Sequence, residues 1–142
     1  VRIVIDTNIV VSYSISGRGA AAQIIRKWHQ EQFEVLVSEP ILAEYERALG
    51  YERVRIRHRM TNEKIHTLVN QFRRFAIMVE PSETLKVVVD DPDDDKFLEC
   101  AAAGAGAYVV SSDPHLLTVK HYHGIQILSP ITFLAFLKNL PT

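Results

Sequence analysis

Val1-Arg2-Ile3-Val4-Ile5-Asp6-Thr7-Asn8 is a short apolar run that stops abruptly at a carboxylate, a hydroxyl and an amide. Four of its first five residues are β-branched, which favours extended structure, and apolar positions barely alternate with polar ones. A strand of that kind is covered on both faces, as in a parallel sheet between helices. Asp6 then stands at the strand's carboxyl end, where open α/β sheets bind their ligands.

Working outward, Ile9–Ser16 leads through the turn-prone Gly17-Arg18-Gly19 into a helix over Ala20–Gln30, with Ala21, Ile24, Ile25 and Trp28 at helical spacing. Glu34-Val35-Leu36-Val37 is a second buried strand. Ser38 caps the next helix, Pro40 sits in its first turn, and the stripe Ile41, Leu42, Tyr45, Ala48, Leu49 stops at Gly50. Tyr51–Met60 is ambiguous: Arg53, Arg55, Arg57 and Arg59 alternate with Val54, Ile56, His58 and Met60, a strand period where the order of elements calls for a short helix. Thr61 or Asn62 caps a helix with Ile65, Leu68, Val69, Phe72 and Phe75 on its apolar face. Ile77-Met78-Val79 and Lys86-Val87-Val88-Val89 bracket Pro81-Ser82 as extended segments.

The acidic run Asp90-Asp91-Pro92-Asp93-Asp94-Asp95 opens a helix over Lys96–Ala103, the end the helix dipole makes favourable for carboxylates. Ala107-Tyr108-Val109-Val110 is another buried strand, and Ser111-Ser112-Asp113 follows at once, repeating the pattern of the first. Pro114 opens a short helix through Leu117, Ile125–Leu128 is the last strand, and Pro130 starts a final helix carrying Ile131, Phe133, Leu134 and Leu137. Strands alternating with helices imply an α/β fold, a three-layer αβα arrangement around a mainly parallel sheet, in a single domain over residues 1–142.

Composition narrows the classes. The chain's 142 residues, 47% hydrophobic and 23% charged, suit one globular domain. A formal charge of -1 gives no global basic field, so contact with nucleic acid must come from a local patch. Cys100 is the only cysteine, which excludes an internal disulfide or a cysteine-based zinc site. No apolar stretch approaches the roughly 18 residues of a membrane span, and no signal peptide precedes the first strand, so a cytoplasmic protein without membrane contact is expected.

Asp6 and Asp113 each follow a strand directly and Asp95 opens a helix, so all three converge where strands end. Carboxylates brought that close repel, and a hard cation is the usual remedy for three or more. Mg²⁺ or Mn²⁺ suits all-oxygen ligands, with Thr7, Asn8 and Ser111 placed to orient carboxylates or waters, and such an ion can activate water against a phosphodiester. The alternative is that strand-end Asp residues only cap turns and helices, and spacing leaves the two readings open. The basic run Arg47, Arg53, Arg55, Arg57, Arg59, with His58, can hold an RNA backbone, or it is a solvated face, or one that meets acidic partner residues. Arg18, Arg26 and Lys27 form a weaker second patch. His121 and His123 share a strand face but lack a third ligand. Trp28, Phe72, Phe75 and Cys100 read as packing residues. A calcium loop on Asp91, Asp93 and Asp95 is discounted, because Lys96 replaces its glycine and Ala102 its final glutamate.

Ile3-Val4-Ile5-Asp6-Thr7-Asn8 resembles the opening of the PIN-domain ribonuclease family, and the rest of the chain follows suit. Glu44, in Ser38–Tyr45, matches the family's second acidic position, Asp95 in Asp95-Lys96-Phe97-Leu98 the third, and Asp113 in Val109–Asp113 the fourth. Helical geometry alone does not choose Glu44 over Glu46, and Asp94 and Asp95 are neighbours; the resemblance selects Glu44, and Asp95 because Leu98 then takes the family's apolar position. Asp91, Asp93 and Asp94 read as loop acids, one of them a possible outer-shell group. The chain is most similar to VapC toxins of toxin–antitoxin pairs. That resemblance implies a metal-dependent endoribonuclease using Asp6, Glu44, Asp95 and Asp113 with Mg²⁺ or Mn²⁺, an RNA substrate, a cognate antitoxin and a homodimer. Two other classes are weighed: a PIN-like module that binds RNA or antitoxin with little catalysis, and a receiver-like phosphotransfer domain with Val87-Val88-Val89-Asp90 as its phosphorylated strand. The second lacks an acidic pair after the first strand and a Lys after the last.

Overall fold

The computed structural model describes residues 1–88 and 92–140. In chain order the elements are β1 (Arg2–Ile5), α1 (Thr7–Ile15), α2 (Ala20–His29), β2 (Glu34–Val37), α3 (Glu39–Leu49), α4 (Glu52–His58) and α5 (Asn62–Phe75). After these come β3 (Ile77–Met78), a single 3-10 turn (Pro92–Asp94), α6 (Asp95–Ala103), β4 (Tyr108–Val110), α7 (Pro114–Val119), β5 (His121–Tyr122), β6 (Ile125–Leu128) and α8 (Pro130–Lys138).

The strands form one sheet in the order β3-β2-β1-β4-β6-β5, parallel except for β5. Ile3, Val4 and Ile5 are fully buried, as are Leu36, Val37, Val109 and Val110, so the central strands are covered on both faces as their unbroken apolar runs require. Helix α6 packs across β1, β2, β4 and β6, while α1 meets α2 and α3, α3 meets α5, and α2 meets α8. Trp28 stacks on Phe72 with ring centroids 4.9 Å apart, joining α2 to α5. This is the α/β, three-layer arrangement with a mainly parallel sheet that the sequence implies.

Two features of this topology build the site. From β1 the chain order runs one way to β2 and β3 and the other way to β4 and β6, so the crevice at the carboxyl ends of β1 and β4 is a topological switch point. The register pairs Ile5 with Val110 and Val4 with Leu36, which sets Asp6 beside Ser111 on one flank and Ser38 on the other. The buried Tyr45 hydroxyl donates to the Ile5 carbonyl and ties α3 to the end of β1.

Several expectations need correction. The segment after Asn8 is the helix α1, beginning at Thr7 immediately after the strand. Tyr51–Met60, ambiguous from its pattern, contains the short helix α4 that the order of elements calls for. Residues 86–88 form no strand; the backbone N–H groups of Val87 and Val88 go to Asp95 instead. Phe75 is 65% exposed rather than core, because it ends α5 beside β3, a two-residue strand at the sheet edge with no further strand among the described residues to cover it. Val89, Asp90 and Asp91, on which the receiver-like reading and part of the acidic loop depend, lie outside the described residues.

Candidate active site

Asp6, Asn8, Glu44, Asp94 and Asp113 line one cavity of about 630 Å³ at the switch point, together with Thr7, Tyr51, Arg53, Arg57 and Asp93, over an apolar floor that includes Val11, Ile15, Ala48 and Val54. Asp6 is 3% exposed and occupies the N-cap position of α1, yet its side chain makes no capping bond there. Its Oδ2 accepts the Ser111 hydroxyl at 2.6 Å. Ser111 Oγ in turn accepts the Asp113 backbone N–H at 2.9 Å, so one buried serine holds both strand-end acids in place.

Burial raises the Asp6 pKa to about 6, and the charges of Asp113 and Glu44 push in the same direction, against the bond from Ser111. Starting from an ordinary 3.8, that rise means that holding the carboxylate charged costs about 3 kcal/mol. Full burial of a single Ile contributes roughly 1.5–3 kcal/mol, so the apolar strand that carries Asp6 offsets the cost.

Glu44 projects from α3, whose buried stripe is Ile41, Leu42, Tyr45, Ala48 and Leu49. It accepts the Thr7 hydroxyl and pairs with Lys96 Nζ at 2.5 Å, both members of the pair being largely buried. Lys96 also reaches Asp93 Oδ2 at 3.1 Å. Burial alone would lower the Lys96 pKa, but its bonds to Glu44 and Asp93 raise it, so the ammonium stays charged. The same bond from Lys96 lowers the pKa of Asp93. Glu46, which helical geometry left level with Glu44, faces away and pairs with the exposed His66.

Asp113 caps α7 through Oδ1, accepting the His115 N–H at 2.8 Å, and still lines the cavity. Asp95, which the resemblance assigns to the site, does not line it. Its Oδ1 accepts the N–H groups of Val87 at 3.0 Å and Val88 at 2.8 Å, and the residue borders a separate groove with Leu85, Val88 and Glu99. Its neighbour Asp94, 7% exposed, borders the acidic cavity instead. Of the run of arginines, only Arg53 and Arg57 reach the cavity; Arg55 caps the Gly50 carbonyl at 3.0 Å and binds Asn62.

The donors facing the cavity are carboxylate, hydroxyl and amide oxygens, the chemistry a hard divalent cation takes. As placed, no three His, Cys, Asp or Glu side chains among the described residues stand together as a ready ligand group. Lys96, which borders the neighbouring groove, supplies the counter-charge on Glu44. Sequence reasoning missed Lys96, Tyr51 and the place of Asp94 at the cavity; only the Asp94-Asp95 doublet signalled the last.

A model of the PIN domain family matches residues 2–115. A protein of Methanocaldococcus jannaschii described as uncharacterized is 25% identical over 123 residues, covering 84% of this chain and 76% of that protein. Among solved structures, PAE2754 from Pyrobaculum aerophilum is similar with a TM-score of 0.62 at 17% identity, covering 99% of this chain and 91% of that one. VapBC2 from Rickettsia felis, bound to a DNA fragment from its promoter, gives 0.59 at 12% identity over 91% and 98% of the two chains. FitAB bound to a DNA fragment gives 0.54 at 11% identity over 90% and 94%.

Proposed function

This chain belongs to the PIN domain family, and from that premise we propose that it is a divalent-metal-dependent endoribonuclease in which Asp6, Glu44, Asp94 and Asp113 hold Mg²⁺ or Mn²⁺. The observation that carries the reading is Asp6: a buried carboxylate, unused as a helix cap, aimed into an open cavity beside two further acids that repel it. A bound cation would relieve the roughly 3 kcal/mol that the charged form costs.

The third acidic position goes to Asp94 in this reading, because Asp94 borders the cavity while Asp95 borders the neighbouring groove and its Oδ1 takes two backbone amides. A hard divalent ion supplies charge neutralisation at a phosphate and lowers the pKa of water. The chain's own residues position its ligands: Ser111 fixes Asp6 and the Asp113 backbone, Thr7 orients Glu44, and Asn8 stands at the rim. Lys96 balances Glu44 and must release it before that carboxylate joins an ion.

RNA as substrate rests on the resemblance to PIN-domain ribonucleases. The likeness to VapC toxins, with the fold shared with VapBC2 and FitAB, supports extending the proposal to the toxin of a toxin–antitoxin pair, a homodimer with a cognate antitoxin. No described helix is long and apolar enough to cross a membrane, in keeping with a cytoplasmic site of action.

Labelled RNA incubated with and without Mn²⁺ tests the activity. Wild-type protein is expected to cut only with the metal, and Asp6→Asn, folded by circular dichroism, to cut at least about a hundredfold more slowly. Asp6→Asn cutting at the wild-type rate would overturn the mechanism. One observation favours a second reading, a PIN-like module that binds RNA or antitoxin without cutting: Lys96 sits on Glu44 where a cation would compete. Calorimetry separates the two, since that module takes up no Mn²⁺.

A further inference from the structure

The cavity has a second wall, and the helical period of α4 builds it. Arg53 and Arg57 are four residues apart on a seven-residue helix and therefore share one face. Both line the cavity, while Arg55, on the other face, is spent on Gly50 and Asn62. Arg59 lies at the helix end in the left-handed conformation, with φ 57°, outside the cavity lining. Among the described residues neither Arg53 nor Arg57 makes an ion pair, although both are exposed. Tyr51, 41% exposed, precedes the helix and lines the same cavity. The Arg53 guanidinium lies over its ring, 5.1 Å from the centroid, and orients it.

We propose that Tyr51, Arg53 and Arg57 form a nucleotide subsite: the two guanidiniums hold a phosphate adjacent to the one that is cut, and the Tyr51 ring stacks on the base attached to it. The proposal rests on the ribonuclease reading for the position of the scissile bond, but not for the subsite's chemistry. Two guanidiniums with no ion-pair partner among the described residues suit a phosphodiester, which accepts charge-assisted bonds from both. An aromatic ring beside them adds what a polynucleotide can use and an acidic peptide cannot: a platform for any base, independent of sequence. Stacking requires an unpaired base, so the subsite selects single-stranded segments over duplex.

Single-turnover cleavage of a short fluorescein-labelled oligouridylate in Mn²⁺ buffer gives the half-saturating protein concentration, and anisotropy gives the same quantity for any RNA that is not cut. Tyr51→Ala is expected to raise that concentration about tenfold, and Tyr51→Phe to restore it. A set of oligouridylates, each with one abasic position, supplies the decisive control. One of them should bind wild type and Tyr51→Ala equally, a result that a misfolded variant cannot give. Arg57→Gln is expected to raise the concentration about tenfold and to lower the salt slope by about 1.

The two readings fail separately. Wild-type protein that binds oligouridylate and never cuts it sinks the nuclease and leaves the subsite. Cleavage by wild type with Tyr51→Ala and Arg57→Gln both within twofold sinks the subsite, and assigns those arginines to an acidic protein partner. Loss of about tenfold on every abasic RNA alike would also overturn it, because Tyr51 would then be acting on the fold.

Discussion

Asp6 and Asp95 are carboxylates of nearly equal burial, 3% and 4% exposed, on either side of the same sheet edge. They differ in what donates to them. Asp95 receives two backbone amides, and Glu99, one helical turn on, accepts the Leu85 N–H at 2.8 Å, so together they fasten residues 85–88 to α6. Asp6 receives the Ser111 hydroxyl and the Thr7 backbone N–H, yet burial, with the charges of Asp113 and Glu44, lifts its pKa to about 6. Burial alone therefore does not mark a functional acid. The surroundings do: a carboxylate whose Oδ1 gathers the amides of a neighbouring segment is a fastener, and one set among other acids beside a cavity is available to a cation.

That contrast is broken or sharpened first by opposite signs in stability. Without metal at pH 8, Asp6→Asn is expected to stabilise the fold by up to about 3 kcal/mol in urea unfolding, by removing the buried charge. Asp95→Ala is expected to destabilise it by about 3 kcal/mol, by stranding two amide N–H groups. Equal signs would erase the distinction.

The pH dependence follows from the same group. The folded protein keeps the Asp6 proton up to about pH 6, whereas the unfolded chain releases it near 3.8. The folded state thus binds more protons in this window, and the contribution of Asp6 to stability falls as pH rises from about 4 to 6. The difference between wild type and Asp6→Asn is expected to open across that window and stay flat above it; a flat difference throughout would contradict the burial argument. Mn²⁺ affinity is expected to rise over the same range, because the ion needs the carboxylate.

Smaller effects test the neighbours. Lys96→Met leaves Glu44 without its partner and is expected to cost about 2 kcal/mol, recovered in part by saturating Mn²⁺. Wild-type stability of Lys96→Met with no metal present would show that Lys96 is not the counter-charge on Glu44. Glu99→Gln, which keeps an acceptor for Leu85, is expected to cost about 1 kcal/mol or less and to leave cleavage unchanged.

The strands were legible because their apolar runs are β-branched, unbroken and end in polar residues, as at Ile5-Asp6 and Val110-Ser111. Helix α1 was not, because it follows β1 without a turn, and Ser12 and Ser14 interrupt its apolar positions. Of the proposed site, Asp6, Glu44 and Asp113, each named from the sequence, line one cavity. The choice between Asp94 and Asp95 was not readable from helical period, since consecutive residues differ by one step around the axis. The amides of Val87 and Val88 bind Asp95 Oδ1, a backbone demand that no side-chain pattern carries, and this is the ground for proposing Asp94. The arginine run misled for a related reason: every second residue of a helix falls on alternating faces over two turns, so a strand-like pattern hid the Arg53/Arg57 pair.

The most direct measurement is cleavage of labelled RNA in Mn²⁺ by Asp94→Asn and Asp95→Asn, with rates expressed per folded molecule. The cavity account predicts a loss of about a hundredfold or more for Asp94→Asn and a rate within severalfold of wild type for Asp95→Asn. The reverse order would contradict it.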